Sequence, residues 1–142
     1  MTVNIIKLAV GIDDIDHLAD RQKHRRNKNG NCFHVTRMMP TRGKEIVDQG
    51  SLYWVIKGFI QVRQPIVGLN AVKGEDGRSM CEIELDPKLV VVQATACRAF
   101  QGWRYLKPEA APADLKGRRG GIYVDPKMPK AVRLELAKLG LL

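Results

Sequence analysis

The sequence has few cysteines and few histidines, and each shortage argues against a class of protein. Cys32, Cys81 and Cys97 form no even set and no Cys-x-x-Cys pair, which argues against a disulfide framework and indicates a reducing compartment. The three histidines are scattered, whereas a structural zinc site needs about four converging ligands. We therefore expect neither a bound metal nor a cofactor.

Long hydrophobic runs and the common catalytic motifs are also missing. The apolar run near the start, "IIKLAVGI", is interrupted by Lys7 and followed at once by acidic residues, which fits neither a signal peptide nor a membrane span. The chain contains no P-loop, no Gly-x-Gly-x-x-Gly and no Gly-x-Ser-x-Gly. These absences predict a cytoplasmic protein with no membrane contact.

What the chain does have is positive charge. Lys and Arg total 24 against 15 Asp and Glu, which gives a net charge of +9 over 142 residues. A pI near 9.7 predicts a polyanionic partner, chiefly nucleic acid such as RNA or an anionic surface, although a merely soluble basic protein has the same balance. The length predicts a single domain over residues 1–142.

The order of strand and helix signals predicts an α+β fold. A β-branched first strand precedes a helix capped by Asp13 or Asp14, and a second helix closes at Gly50. Two hairpins follow, around Gly58 and "KGEDGR", and a last helix opens at Pro129. We expect a small, curled, mostly antiparallel sheet or pseudo-barrel with two or three peripheral helices.

The first hairpin allows its side chains to be sorted by face. Gly58 suits the first position of a two-residue turn, and strand alternation then predicts two sets. The predicted core face holds Tyr53, Val55, Ile60 and Val62, and the opposite face holds Trp54, Gln61 and Arg63. A three-residue loop would change which residues of the two strands share a face. Pro65 predicts a bulge or bend before "IVGLNAV".

Two stretches, "LYWVIKGFIQVR" and "FQGWRYLK", place aromatic rings beside cations. Bases stack on aromatic and guanidinium planes, and neighbouring cations contact phosphate. The candidates for these roles are Trp54, Arg63, Trp103, Arg104 and Tyr105, with Gln61 or Gln101 reading a base edge. The competing interpretation is that both tryptophans are core residues with their indole N–H groups satisfied.

Two basic segments are secondary candidates for phosphate contact. The first contains Arg21, Lys23, Arg25, Arg26 and Lys28, and the second contains Arg118 and Arg119. A solvated helix end and an ordinary surface loop explain them equally simply. Asp13, Asp14 and Asp16 suit a helix cap better than a divalent ion.

We carry two alternatives to an RNA-binding module. One is an enzyme acting on a nucleotide or nucleic acid, in which Arg37, Lys57, Arg63 and Arg104 clamp an anion and a carboxylate serves as base. A deep pocket that holds a carboxylate against these cations would favour it. The other is an interaction protein for an acidic partner. The oligomeric state is not predicted.

Several strings resemble a family of short alphaproteobacterial proteins classed as a domain of unknown function: "HVTRMMP", "GSLYWVIKG", "VRQPIVGL", "FQGWRYL" and "ELAKLGLL". The order of a helix, "GSLYWVIKG", a hairpin and "IVGL" is also similar to the PUA-like superfamily, which includes ASCH and EVE domains. That resemblance implies a pseudo-barrel that binds RNA or a modified base in a cleft. It implies that Gly50, Tyr53, Trp54 and Lys57 lie near the cleft, with Arg63 and Gln64 beside it.

Overall fold

The computed structural model describes residues 3–24, 30–47, 49–100 and 102–115. Two helices, seven strands and a short 3-10 turn make up this part. In chain order they are β1 (Asn4–Leu8), α1 (Ile15–Lys23), β2 (Cys32–Thr36), α2 (Gly43–Val47), β3 (Ser51–Ile56), β4 (Phe59–Lys73), β5 (Ser79–Leu85), β6 (Val90–Ala96), β7 (Trp103–Leu106) and the 3-10 turn Pro108–Ala110.

All seven strands belong to one mixed sheet in the order β2-β5-β4-β3-β1-β7, with β6 also paired to β4. Only β1 and β3 run parallel, and the other pairings between named strands are antiparallel. Among the strands that the structure describes, the sheet is not closed. The predicted α+β class with a small, mostly antiparallel sheet is therefore confirmed.

The core lies on both faces of the sheet. The larger cluster joins Ile5 and Leu52 from the middle of the sheet to Ile83 and Leu85 from β5, and the two helices add Leu18 and Ile46. Trp103 on β7 donates a hydrogen bond to the Met38 carbonyl just after β2, at the other end of the strand order, so the sheet curls around this cluster. A smaller cluster on the other face contains Ile6, Tyr53, Val55, Ile60 and Val92.

The β3–β4 hairpin corrects two predictions. Ile56 pairs with Phe59, so Lys57 and Gly58 form a two-residue turn with φ of 50° and 83°. Two positive φ values are the type I′ pattern, which places Gly58 second and not first. The register also shifts between Trp54 and Val55.

This shift leaves Gln61 as an extra residue, because Trp54 pairs with Val62 while Val55 pairs with Ile60. The predicted grouping of Trp54 with Gln61 and Arg63 is wrong for that reason. Trp54 shares its face with Val62, and Arg63 lies opposite Tyr53. A second register shift lies between Ile66 and Gly68, just after the position, before Ile66, at which Pro65 predicted a bulge or bend.

Asp14 caps α1 as predicted, since its carboxylate accepts a hydrogen bond of 2.7 Å from the His17 backbone N–H. Within the described ranges, no helix has both the length and the apolar character to cross a bilayer. Several predicted features lie outside the described residues: Arg25, Arg26, Lys28, Gln101, Arg118, Arg119 and the helix from Pro129. The single domain, the cytoplasmic compartment and the PUA-like resemblance stay predictions.

Candidate nucleic-acid interface

The curled sheet leaves a groove between the end of β2 and the β1–β7 edge. We call it the seam groove. It has a volume of about 590 Å³ and is lined by Lys7, Val35, Thr36, Arg37, Met38, Met80, Gly102 and Trp103. Its walls combine two cations with thioether, methyl and indole groups, so it offers charge and apolar surface to the same ligand.

Strand register places Lys7 at the centre of this region. Lys7 on β1 lies directly opposite Trp54 on β3 and directly opposite Trp103 on β7. Directly paired residues share a face, so the lysine lies between the two indole side chains. Lys7 is half-buried, and this burial lowers the pKa of its ammonium group.

Trp103 is fixed in the groove by contacts across the seam. Its indole N–H donates a 2.9 Å hydrogen bond to the Met38 carbonyl, which follows β2. The ring also meets Tyr105 edge to face, with centroids 4.9 Å apart. The Tyr105 hydroxyl accepts from the Arg42 backbone N–H at 3.2 Å and lies 3.2 Å from the Thr41 hydroxyl. Trp103 is therefore held before any ligand arrives.

The charge of the seam groove is positive. Lys7 and Arg37 form no ion pair with any residue of the described part of the chain. None of the described residues that line the groove is acidic. An anion in this groove would therefore meet two unneutralised cations, and none of the described lining residues would repel it.

Trp54 is a core residue, which answers the question that the sequence left open. Its side chain is 4% exposed, and its indole N–H donates to Gln64 Oε1 at 2.8 Å. Gln64 is fully buried and exchanges two hydrogen bonds of 2.7 and 2.9 Å with Gln22 on α1. Trp54 thus supports the seam groove from below and does not present a ring face to it.

Three other predicted cations lie elsewhere. Arg63 makes two 2.8 Å hydrogen bonds to the carboxylate of Asp114, whose pKa they lower. Arg104 lies opposite Ile6, on the other face from Trp103, with its guanidinium 4.9 Å from the centre of the Phe100 ring. Lys57 is exposed in the hairpin turn, 3.1 Å from Asp13. None of these lines the seam groove.

The remaining predicted residues take structural positions. Tyr53 is 6% exposed and belongs to the smaller core cluster. The Gln61 amide donates a 2.8 Å hydrogen bond to the Ile56 carbonyl, so the side chain of the bulged residue is used within the hairpin. Lys23 lies in the last turn of α1. The structure therefore brings Arg37 and Trp103 together and leaves the two aromatic strips on opposite sides of β1.

A smaller pocket of about 150 Å³ opens on the Trp54 side of Lys7, and we call it the Trp54 pocket. Its apolar walls include Ala9, Leu18 and Trp54, and its polar groups include Lys7 and Arg21. Arg21 was predicted as a secondary phosphate contact. Lys7 lines both this pocket and the seam groove.

Lys7 is a site residue that was not predicted from the sequence. The available signal was its position, because a lysine inside the apolar run of a buried strand is unusual. The residues beside Lys7 are known only from the register of β1 with β3 and β7. Among the described side chains, no group of three or more His, Cys, Asp or Glu could hold a metal ion.

Comparison with known proteins gives a family. No curated protein matches the chain, and no solved structure does. One family model matches residues 5–142, and its description is "Protein of unknown function (DUF1489)". The resemblance to a domain of unknown function is therefore confirmed, and the chain belongs to the DUF1489 family.

Proposed function

We propose that this protein binds single-stranded RNA through the seam groove. The observation that carries the proposal is the meeting of Lys7, Arg37 and Trp103 in one groove whose described lining holds no acid. The net charge of +9 supports it, because a basic protein attracts a polyanion over distances longer than any one contact.

The groove has the two kinds of surface that an RNA strand requires. Lys7 and Arg37 supply positive charge for the phosphates, and Trp103 with Met38 and Met80 supplies apolar surface for a base. Its volume of about 590 Å³ is that of a site for a molecule of nucleotide size. A base paired in a duplex cannot reach such a groove, which favours an unpaired strand.

No observation favours the enzyme alternative. General acid–base catalysis in the groove would require a carboxylate or another base within hydrogen-bond reach of the substrate. Among the lining residues that the structure describes, there is no carboxylate to take that role. An acidic protein partner would contact the same cations, so the test below compares RNA with an acidic peptide.

The test is fluorescence anisotropy of a short labelled RNA titrated with the protein at two salt concentrations. We expect Arg37→Gln to weaken binding by about threefold to tenfold, because it removes one phosphate contact. Arg104→Gln is the matched control, since Arg104 is also an exposed arginine but lies on the other face of β7. It should leave affinity within about twofold.

Trp103→Leu should weaken binding by about fivefold or more, since base stacking on an aromatic ring is worth about 1–3 kcal/mol. Affinity should also fall steeply as salt is raised. Salt-independent binding, or equal losses in Arg37→Gln and Arg104→Gln, would contradict the proposal. Tighter binding to a poly-glutamate peptide than to RNA would favour the acidic protein partner.

A further inference from the structure

The Trp54 pocket has a chemistry of its own. Most of its wall is apolar, and its described lining holds two cations, Lys7 and Arg21, and no acid. A volume of about 150 Å³ is that of a cavity that holds a single benzene-sized ring. The pocket is thus too small for a nucleotide and large enough for a small ring or a short aliphatic chain.

The charge of Lys7 determines what kind of molecule suits this pocket. A neutral ligand would displace water from a half-buried ammonium group and give it no counter-charge, which costs free energy. A carboxylate would provide that counter-charge, and the planar fork of Arg21 matches the two carboxylate oxygens. A doubly charged phosphate would lose more hydration on entering so apolar a pocket.

We propose that the Trp54 pocket binds a small organic monocarboxylate, with its apolar body against Trp54 and its carboxylate on Lys7 and Arg21. Because Lys7 also lines the seam groove, a bound carboxylate neutralises a cation on which RNA binding relies. The pocket is then a regulatory site that antagonises RNA. Only this regulatory step rests on the proposed function, and binding of the carboxylate does not.

The first experiment needs no RNA. The chain has two tryptophans, so a proton–nitrogen NMR spectrum shows two indole N–H signals. We would titrate benzoate at constant ionic strength, with its neutral isostere benzamide as the matched ligand. The Trp54 signal should shift saturably with benzoate, because Trp54 lines the pocket and Trp103 does not. Benzamide should bind about tenfold more weakly or not at all.

Variants then test which side chains hold the carboxylate. Lys7→Met keeps the length of the stem and should weaken benzoate binding by about tenfold. Arg21→Gln changes an exposed side chain, so folding should be unaffected, and it should weaken binding by about twofold to fivefold. Arg104→Gln should change nothing. Equal binding of benzoate and benzamide, or of benzoate to all three variants, would overturn the proposal.

The second experiment adds benzoate to the RNA anisotropy assay at constant ionic strength. We expect the apparent affinity for RNA to fall by about threefold or more when the pocket is saturated. Unchanged RNA affinity at saturating benzoate would overturn the regulatory step. It would leave the assignment of the Trp54 pocket as a carboxylate site intact. Absence of RNA binding would refute the proposed function, and the NMR titration would still decide the pocket.

Discussion

At the scale of single residues, the site depends on polar groups that are satisfied where they are buried. The amide of Gln64 is the centre of this arrangement, since it receives the Trp54 indole N–H and pairs reciprocally with Gln22. Its Nε2 also donates to the Asp86 carbonyl at 3.1 Å. One fully buried side chain thus links β3, β4 and α1 beneath Lys7.

Replacing that amide gives the first residue-scale prediction. Gln64→Met keeps a similar volume but leaves the Trp54 N–H without its acceptor, and a buried unsatisfied donor costs about 1–3 kcal/mol. We expect urea unfolding to show a loss of that size. The exposed control, Gln93→Met, should change stability by less than about 0.5 kcal/mol. Equal effects from both variants would contradict the role given to Gln64.

The pKa of Lys7 gives a second prediction about a single residue. Burial lowers its pKa in the folded state, so the unfolded chain binds more protons between that lowered value and the ~10.4 of an unfolded lysine. The free energy of unfolding should therefore rise with pH across that window through Lys7. Burial also raises the pKa of Tyr53, and this shift makes the free energy of unfolding fall as the pH rises. Measurements on the wild type alone therefore do not separate the contribution of Lys7.

Lys7→Met supplies the comparison, since Tyr53 titrates in both proteins. The variant should be at least as stable as the wild type near neutral pH, because it no longer desolvates a charge. Its advantage should shrink as the pH approaches about 10. Denaturant melts at several pH values measure this difference. A variant that is less stable at neutral pH, with a constant difference at higher pH, would contradict a desolvated Lys7.

At the scale of elements, an ion pair connects β4 to the chain that follows β7. Arg63 holds Asp114, and Asp114 also forms an isolated antiparallel bridge with Val92 on β6. The Leu115 backbone N–H donates to the Val91 carbonyl at 2.9 Å. Side-chain and backbone contacts therefore fasten this segment over the smaller core cluster.

The pKa of Asp114 gives an element-scale prediction. The hydrogen bonds from Arg63 lower that pKa in the folded state, so the stabilisation is present above about pH 4 and is lost as the pH falls. Asp114→Asn should be less stable than the wild type near neutral pH, and the difference should shrink as the pH falls below about 4. Urea melts at neutral pH and at several acidic pH values test it. A difference that does not depend on pH would contradict the account.

The sequence predicted the elements better than the contacts between them. The first strand, the Asp14 cap and both hairpins follow from local signals, namely β-branched runs, a capping carboxylate and glycines at turns. The pairing of Trp54 could not be predicted, because the extra residue at Gln61 reverses the side chains of β4 from there to the second register shift after Ile66. Nothing in the local pattern distinguishes that bulge from regular alternation.

At the scale of the whole molecule, the site results from an unclosed sheet. The end of β2 and the β1–β7 edge are far apart in strand order, and curling brings them to either side of the seam groove. Arg37 and Trp103 were predicted separately, and only the fold places them together. The position of Lys7 in the site depends on the pairing of three strands. Strand pairing is a long-range property that local sequence patterns do not reveal.

RNA binding to the seam groove is best tested by titrating the protein with RNA and following the two indole N–H signals in NMR. The Trp103 signal should shift saturably, with the affinity seen by anisotropy, because Trp103 lines the seam groove. Trp54 should shift less, since its ring is buried beneath the site. RNA binding that leaves the Trp103 signal unmoved would contradict the claim and place the RNA on another surface.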